Sequence, residues 1–171
     1  QLKKETGKFP GIIGADYGWK YQTDPLLVNE TLKNFAANGG LVEITWHAMN
    51  PWTRGNPRDN LVNFDMMELT TPSGAADSTV YDAWMAELNK IASGLQELKD
   101  EGIIVLWRPL HEMNGGWFWW GKKSKTGFIN VWQHMHNYFT NEKDLDNLIW
   151  VYSVTPDNGD PESHFYDQTD D

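Results

Sequence analysis

Near its middle the chain contains the stretch Ile103-Ile104-Val105-Leu106-Trp107-Arg108-Pro109-Leu110-His111-Glu112-Met113-Asn114-Gly115-Gly116-Trp117-Phe118-Trp119-Trp120-Gly121. Its first part, residues 103–110, is a short run dominated by large apolar side chains, which predicts a buried strand. The remainder places a carboxylate, an imidazole and several Trp among Gly and Asn, with neither a helical nor a strand period. We therefore predict that a strand ends here in a loop that carries chemically useful side chains.

The same alternation of strand and helix patterns extends to both sides of this stretch. Short apolar runs predict strands at residues 11–17, 41–47, 103–110 and 147–155. Apolar residues at intervals of three and four predict the helices between them: one from Asp24-Pro25 to just before Gly39-Gly40, one from Thr79 to Gly102, and one marked by Phe128, Trp132, Met135 and Phe139. Strands that alternate with helices are typical of a parallel α/β sheet, which is either an open doubly wound sheet or a part of a barrel.

Two stretches of the chain lack a regular period. Residues 48–78 are rich in Asn, Pro, Gly and Thr, and a loop of this length inside a compact domain is usually functional. The residues after Pro156 are polar, include five Asp and show no further strand pattern. Because nothing in the sequence marks a domain boundary or a repeat, we interpret residues 1–171 as a single domain.

The composition limits the classes of partner. The 171 residues are 40% apolar and carry a net charge of −10, and their basic cluster is Lys122, Lys123 and Lys125. Nucleic-acid binding needs clustered cations that replace condensed counterions, so we expect no nucleic-acid partner. Many of the ten Trp lie beside Gly, Asn, Pro or His, which indicates partly exposed rings. An acidic protein of this kind is better suited to a neutral ligand.

The sequence leaves the cellular compartment open. Without Cys the chain cannot form a disulfide framework or a thiolate metal site. No apolar run approaches the ~20 residues that cross a membrane, so we expect no membrane span. The chain begins with Gln1-Leu2-Lys3 rather than with Met and a signal sequence, and we expect that any signal peptide was removed or lies outside this segment.

Glu112 is the candidate for catalysis. In parallel α/β proteins the active site lies at the carboxyl ends of the strands, and Glu112 follows such an end. Aromatic faces stack on the C–H surfaces of sugars, while carboxyl, His and Asn groups bind hydroxyls, so the Trp cluster indicates a carbohydrate site. Apolar rings around a Glu raise its pKa, which would leave a proton for a glycosidic oxygen. The alternatives are a solvated or ion-paired Glu and a Trp cluster that is core.

Two further hypotheses concern the neighbours of Glu112. His47, His111 and Glu112 could converge on a metal, although adjacent strand residues point to opposite faces and the helical zinc-protease motif is absent. We therefore predict no metal and no cofactor. Strand parity places Arg108 on the same face as Glu112, and Glu43 on the same face as His47. If these faces line the interior of a barrel, we predict a buried, structural ion pair between Arg108 and Glu43.

The chain resembles glycoside hydrolase family 26 over roughly residues 5–156. The stretch from Trp107 to Gly121 closely resembles the acid/base segment of that family. The stretch Trp46-His47-Ala48-Met49-Asn50-Pro51 is similar to the preceding strand end, and residues 6–14 resemble the lead into an earlier strand.

This resemblance implies a (β/α)₈ TIM barrel and a retaining double-displacement mechanism. It most often implies endo-attack on β-1,4-mannan, with mixed-linkage glucan and β-1,3-xylan as alternatives, and hence a secreted enzyme. Glu112 matches the acid/base and His111 the His that supports it. The residues expected to bind sugar are His47, Trp52, Trp117, Asn50 and Trp120; Trp119 and Trp120 could instead pack behind the site.

The resemblance also implies that a part of the barrel is missing. The family carries its acid/base on strand four and its nucleophilic Glu on strand seven, so the chain is expected to hold about strands 2 to 5. Three further β/α steps need ~30 residues each, whereas 171 − 112 leaves 59 residues after Glu112. We therefore expect a partial catalytic domain that is truncated at both ends, is inactive alone and requires the remainder of its own barrel.

A noncatalytic carbohydrate-binding module and a metal-dependent hydrolase are the alternatives of other classes.

Overall fold

In the computed structural model, which describes residues 2–18, 25–59, 64–72 and 79–156, the described strands form one parallel sheet. The strands are β1 (Ile12–Tyr17), β2 (Leu41–Trp46), β3 (Val105–Pro109) and β4 (Leu148–Trp150), and they lie side by side in chain order. Each strand pairs in parallel with the next. This arrangement confirms the predicted alternation and the parallel α/β class.

The strand β4 is shorter than predicted, and the end of β3 explains the difference. Pro109 has no N–H to donate to a ladder, and Leu110 has a φ of 44°, which turns the backbone away from the sheet. The last bond between the two strands runs from the Val151 N–H to the Trp107 carbonyl at 2.8 Å. Beyond it β4 has no extended partner, so residues 152–155 continue as a loop.

Three helices lie where the apolar periods predicted them. These are α2 (Pro25–Ala36), α3 (Thr79–Asp100) and α4 (Lys125–Asn137), the last followed by a π turn (Tyr138–Glu142). Asp24, the predicted N-cap of α2, lies outside the described residues. A five-residue helix α1 (Leu2–Thr6) and a 3₁₀ helix (Met66–Leu69) were not predicted, because both are too short to show an apolar period. None of the described helices is long and apolar enough to cross a membrane.

The core lies between the sheet and the helices. Trp46 of β2 stacks on Trp84 of α3 with ring centroids 5.5 Å apart, and Trp107 of β3 contacts Phe139 at 6.0 Å. All four rings are fully buried. Successive strand residues point to opposite faces, so the other face of the sheet carries the alternate residues, and these are only partly buried.

Arg108 and Glu43 lie on this second face, as the strand parity predicted. The Arg108 Nη1 atom is 3.9 Å from the Glu43 Oε1 atom, which confirms that the two side chains are close. In the described part of the chain the two side chains are 26% and 32% exposed, and burial inside a complete barrel stays a prediction. No described element covers the second face, so water reaches the pair.

Candidate active site

The strand register brings the ends of β1, β2 and β3 together. Asp16 of β1 is the Cα partner of Thr45 in β2, and Thr45 is the partner of Arg108 in β3. The chain therefore leaves neighbouring strands within one or two residues of Asp16, His47 and His111. The predicted candidates thus lie at the carboxyl edge of the sheet, as expected for a parallel α/β protein.

Glu112 lies in a strained turn directly after β3. Leu110 and Glu112 have φ values of 44° and 57°, in the left-handed region that side chains with a Cβ disfavour by about 1–2 kcal/mol per residue. The loop after β4 holds this turn in place: the Glu112 N–H donates to the Ser153 carbonyl at 2.8 Å. Backbone strain of this kind clusters at functional sites, so the turn supports the choice of Glu112.

Asn114 makes a second link between the two loops and was missed by the sequence analysis. Its side chain is 2% exposed, its Nδ2 donates to the Thr155 carbonyl at 2.7 Å, and its Oδ1 accepts from the Thr155 N–H at 2.8 Å. The Asn114 side-chain amide thus pairs with both the N–H and the carbonyl of Thr155, as the backbone of a neighbouring strand would. In the sequence, only its position two residues after Glu112 points to a role for Asn114, because its partner Thr155 lies far along the chain.

The Glu112 carboxylate accepts a hydrogen bond from Trp117. The distance between the Trp117 Nε1 and Glu112 Oε2 atoms is 2.9 Å, and both side chains are partly buried. Gly115 permits this arrangement, since a Cβ atom at position 115 would come within 2.4 Å of the Trp117 ring. The predicted acid/base and one predicted sugar-binding ring are therefore joined in a single unit.

His111 is buried beside this unit in an environment that keeps it neutral. Its ring is 5% exposed and contacts Phe118 with a centroid distance of 5.5 Å. Burial lowers the pKa of His111 to about 3, with smaller contributions in the same direction from His47 and Arg108 and an opposing one from Asp16. The imidazole is therefore uncharged over the range in which most enzymes work.

His47 is held by Asp16, a contact that the sequence analysis did not foresee. The His47 Nδ1 atom lies against the Asp16 Oδ2 atom, and the side chains are 16% and 22% exposed. The His47 ring also meets the His111 ring edge-on, with centroids 4.4 Å apart. Both Asp16 and His47 close predicted strands, so their shared edge was visible in the sequence, but the register that pairs them was not.

Trp52 lies on the long loop after β2 with a partly exposed ring. It stacks on Phe64 at a centroid distance of 4.3 Å and an interplanar angle of 9°, and its Nε1 donates to Glu68 Oε2 at 2.9 Å. Within its described residues, 48–59 and 64–72, the loop therefore holds a flat aromatic pair in place.

Two of the predicted sugar contacts, Asn50 and Trp120, are buried in the described part of the chain. Asn50 is fully buried: its Oδ1 accepts from the Trp52 N–H at 2.9 Å and its Nδ2 donates to the Asp59 carbonyl at 2.6 Å. Trp120 is also fully buried, with its Nε1 bound to the His111 carbonyl at 2.8 Å. Both side chains are held by these hydrogen bonds, and a direct contact of either with a sugar stays a prediction.

The metal hypothesis named His47, His111 and Glu112. His47 and His111 are adjacent, but Glu112 is bound by Trp117. Across residues 2–18, 25–59, 64–72 and 79–156, no group of three His, Asp or Glu side chains is arranged to hold a metal ion. The arrangement instead offers one carboxyl group, a neutral imidazole and partly exposed aromatic faces, which can bind a neutral polar ligand and transfer a proton to it.

The sequence of this chain is similar to those of known glycoside hydrolases. The sequence profile of Glycosyl hydrolase family 26 matches residues 1–170. The protein Mannan endo-1,4-beta-mannosidase A and B of Caldalkalibacillus mannanilyticus is 42% identical over 164 residues, which are 86% of this chain and 31% of that protein. A Mannan endo-1,4-beta-mannosidase of Bacillus subtilis is 36% identical over 183 aligned residues, covering 97% of this chain and 49% of that protein.

Solved structures of family 26 proteins are similar to this chain as well. The Bacillus subtilis mannanase man26 superposes with a TM-score of 0.78 and 34% identity over 90% of this chain and 50% of that chain. The structure of GH26A from Muricauda sp. MAR_2010_75 superposes with a TM-score of 0.82 and 26% identity over 96% of this chain and 57% of that chain. The chain therefore spans about half the length, or less, of the proteins that it matches.

Proposed function

This chain belongs to glycosyl hydrolase family 26, and from that premise we propose that it supplies the acid/base half of a retaining endo-β-1,4-mannanase. The observation that carries the proposal is the Glu112–Trp117 unit, in which a partly buried carboxyl group lies against an indole at the carboxyl end of β3. The relatives named mannan endo-1,4-beta-mannosidases favour β-mannan, including glucomannan and galactomannan, as the substrate class. Because such a polymer does not enter cells, we also propose that the protein acts outside the cell.

In the proposed first step Glu112 donates a proton to the glycosidic oxygen as the bond to the anomeric carbon breaks. A second carboxylate attacks that carbon and forms the glycosyl intermediate, and Glu112 then takes a proton from the water that hydrolyses it. The two carboxyl groups must lie about 5–5.5 Å apart in a retaining enzyme. Asp16 is occupied by His47 and Thr45. We therefore assign the nucleophile to the part of the barrel outside this chain.

The neighbours of Glu112 suit this role. A cation beside the carboxyl group would favour its charged form and weaken it as an acid, but His111 is uncharged because burial lowers its pKa to about 3. Trp117 and Trp52 have partly exposed rings that can stack on sugar units. His47 follows the end of β2 beside His111, and its partly exposed ring can bind a hydroxyl group.

The test replaces Glu112 by Gln in the full-length gene product that contains this chain. Loss of general acid catalysis should lower kcat/KM on mannan by about 10²- to 10⁴-fold. The loss should be much smaller on an aryl mannoside whose leaving group needs no proton, and azide should restore turnover by attacking the intermediate in place of activated water. Glu101→Gln, an exposed position beyond α3, is the matched control and should retain full activity.

The same experiment separates the alternatives. Full activity of Glu112→Gln would overturn the assignment of the acid/base. A protein that binds manno-oligosaccharides equally well with either residue but hydrolyses nothing would be a carbohydrate-binding module, and activity abolished by a chelator would indicate a metal-dependent hydrolase. Preferred hydrolysis of mixed-linkage glucan or β-1,3-xylan in a substrate panel would replace mannan by one of these polymers.

A further inference from the structure

We propose that Asp16 is a positioning residue that places a proton on Nδ1 of His47 and thereby fixes which ring nitrogen His47 presents to the sugar. The inference rests on the proposed function only in assuming that His47 contacts the substrate. The contact between Asp16 and His47 is itself a property of the described sheet.

The hydrogen-bond partners of Asp16 determine the position of the proton. An ionised carboxylate only accepts hydrogen bonds, so the His47 Nδ1 atom beside the Asp16 Oδ2 atom must be the donor. The Thr45 hydroxyl lies 2.9 Å from the same oxygen and 3.1 Å from the Ala15 carbonyl, and it donates to either of them. The register of β1 and β2 makes Asp16 the partner of Thr45, so the sheet itself sets this geometry.

The surroundings of His47 keep the ring in this orientation. Its backbone N–H donates to the Tyr17 carbonyl at 3.2 Å, and its carbonyl passes so close to Gly18 that a Cβ atom there would lie 2.6 Å away. The ring meets His111 edge-on at 4.4 Å and Phe118 at 5.1 Å. Turning the ring over would move Nδ1 away from Asp16 and against these aromatic edges.

The neighbouring His111 adds no charge beside this pair. Its pKa is lowered to about 3, chiefly because it is buried, and its Nδ1 atom is buried without a hydrogen-bond partner. With Nδ1 protonated, Nε2 of a neutral His47 ring is an acceptor for a sugar hydroxyl.

The test is nuclear magnetic resonance of the full-length protein with ¹⁵N-labelled His, at pH about 8, above the ordinary titration range of His. Long-range ¹H–¹⁵N correlations report which ring nitrogen carries the proton, and His47→Gln assigns the signals. We expect the wild type to show a proton on Nδ1 of His47. We expect Asp16→Ala to lose this preference. We also expect it to lower kcat/KM on manno-oligosaccharides by about ten- to a hundredfold, which is the size of effect seen in metalloproteins when a ligating His loses its carboxylate partner.

Thr45→Val is the matched control. It removes the other partner of the same carboxylate oxygen, so the proton should stay on Nδ1 of His47. A wild-type proton found on Nε2 alone would overturn the proposal even if Asp16→Ala does not fold, and so would an unchanged tautomer in Asp16→Ala. Because the resonance experiment needs no turnover, a protein that hydrolyses no mannan but shows the Asp16-dependent tautomer would refute the proposed function and leave this assignment standing.

Discussion

At the scale of single residues, the charge state of His111 links the site to the stability of the fold. Burial lowers its pKa to about 3 in the folded protein, against 6.5 for the ordinary side chain. Between these values the unfolded chain binds a proton that the folded chain does not, so the free energy of unfolding falls as the pH drops from about 6.5 towards 3. The stabilisation is fully present above this window and is on the order of a few kcal/mol.

We therefore predict that His111→Gln flattens the pH dependence of stability. The wild type should lose stability to urea steeply between pH 7 and pH 4, and the variant should lose less, because it has no buried imidazole to keep neutral. Urea denaturation of the full-length protein at a series of pH values measures the slope. His136→Gln, an exposed position on α4, should keep the wild-type slope. A variant that loses stability as steeply as the wild type would contradict the prediction.

The sequence brings together residues whose signal is local. Glu112 and Trp117 were singled out because they lie five residues apart in one unusual run, and the structure joins them by a hydrogen bond, while their roles stay predictions. Asp16 was not assigned, because its partner His47 is 31 residues away and only the strand register brings them together. For Trp120 the sequence left open a sugar contact or packing behind the site, since the sequence of a loop does not show how far a ring in it is enclosed; in the structure the ring is fully buried.

At the scale of elements, the turn after β3 depends on the loop after β4. The turn contains two left-handed residues, and the Asn114 amide and the Glu112 N–H tie it to the backbone at Thr155 and Ser153. These bonds help to compensate for the strained conformation. The position of the carboxyl group is therefore set jointly by two elements.

We predict that Asn114→Ala destabilises the protein by about 1–3 kcal/mol, because it leaves a buried N–H and carbonyl of Thr155 unpaired. It should also lower kcat on mannan, since Glu112 is two residues away in the same turn. Chemical denaturation and steady-state kinetics of the full-length protein measure the two effects. Asn34→Ala, on the exposed side of α2, is the control and should change stability by no more than about 0.5 kcal/mol. Equal stability of the two variants would show that the Asn114 link is dispensable.

The elements themselves were largely predictable, and the differences have local causes. The periods of α2 and α3 are regular, and both helices begin and end close to the predicted residues. The strand β4 was overestimated because the ladder to β3 ends at Val151; Tyr152, the next residue, packs against α4 instead and meets Trp132 at 5.2 Å. An apolar run shows that residues are buried, but it does not show whether a partner strand remains beside them.

At the scale of the whole molecule, the predicted partial (β/α)₈ barrel is confirmed by the match to half-length portions of family 26 structures. The numbering of its strands as 2 to 5 stays a prediction. Within the described part of the chain, β1 pairs only with β2, and β4 only with β3. Ile12, Leu41 and Ile149 are 43%, 59% and 51% exposed at the sheet.

We predict that the 171-residue chain alone self-associates and releases no reducing ends from mannan. Unpaired strand edges and an uncovered sheet face favour contacts between copies. Sedimentation velocity at several concentrations measures the association, and the full-length gene product, whose barrel should be closed, is the control and should be monomeric under the same conditions. A soluble monomer of this chain that hydrolyses mannan would contradict both the open face and the assignment of the nucleophile.

The bonds from Ser153 and Thr155 to the turn after β3 also bear on how the polypeptide could be divided. If it were cut after Pro156, the N-terminal piece would keep these bonds to the turn that carries Glu112, the proposed proton donor. A cut after Trp150 would move them to the other piece. The position of Glu112 would then be fixed only when the two pieces meet, and if the proposed function holds, hydrolysis by such a split protein would report their encounter.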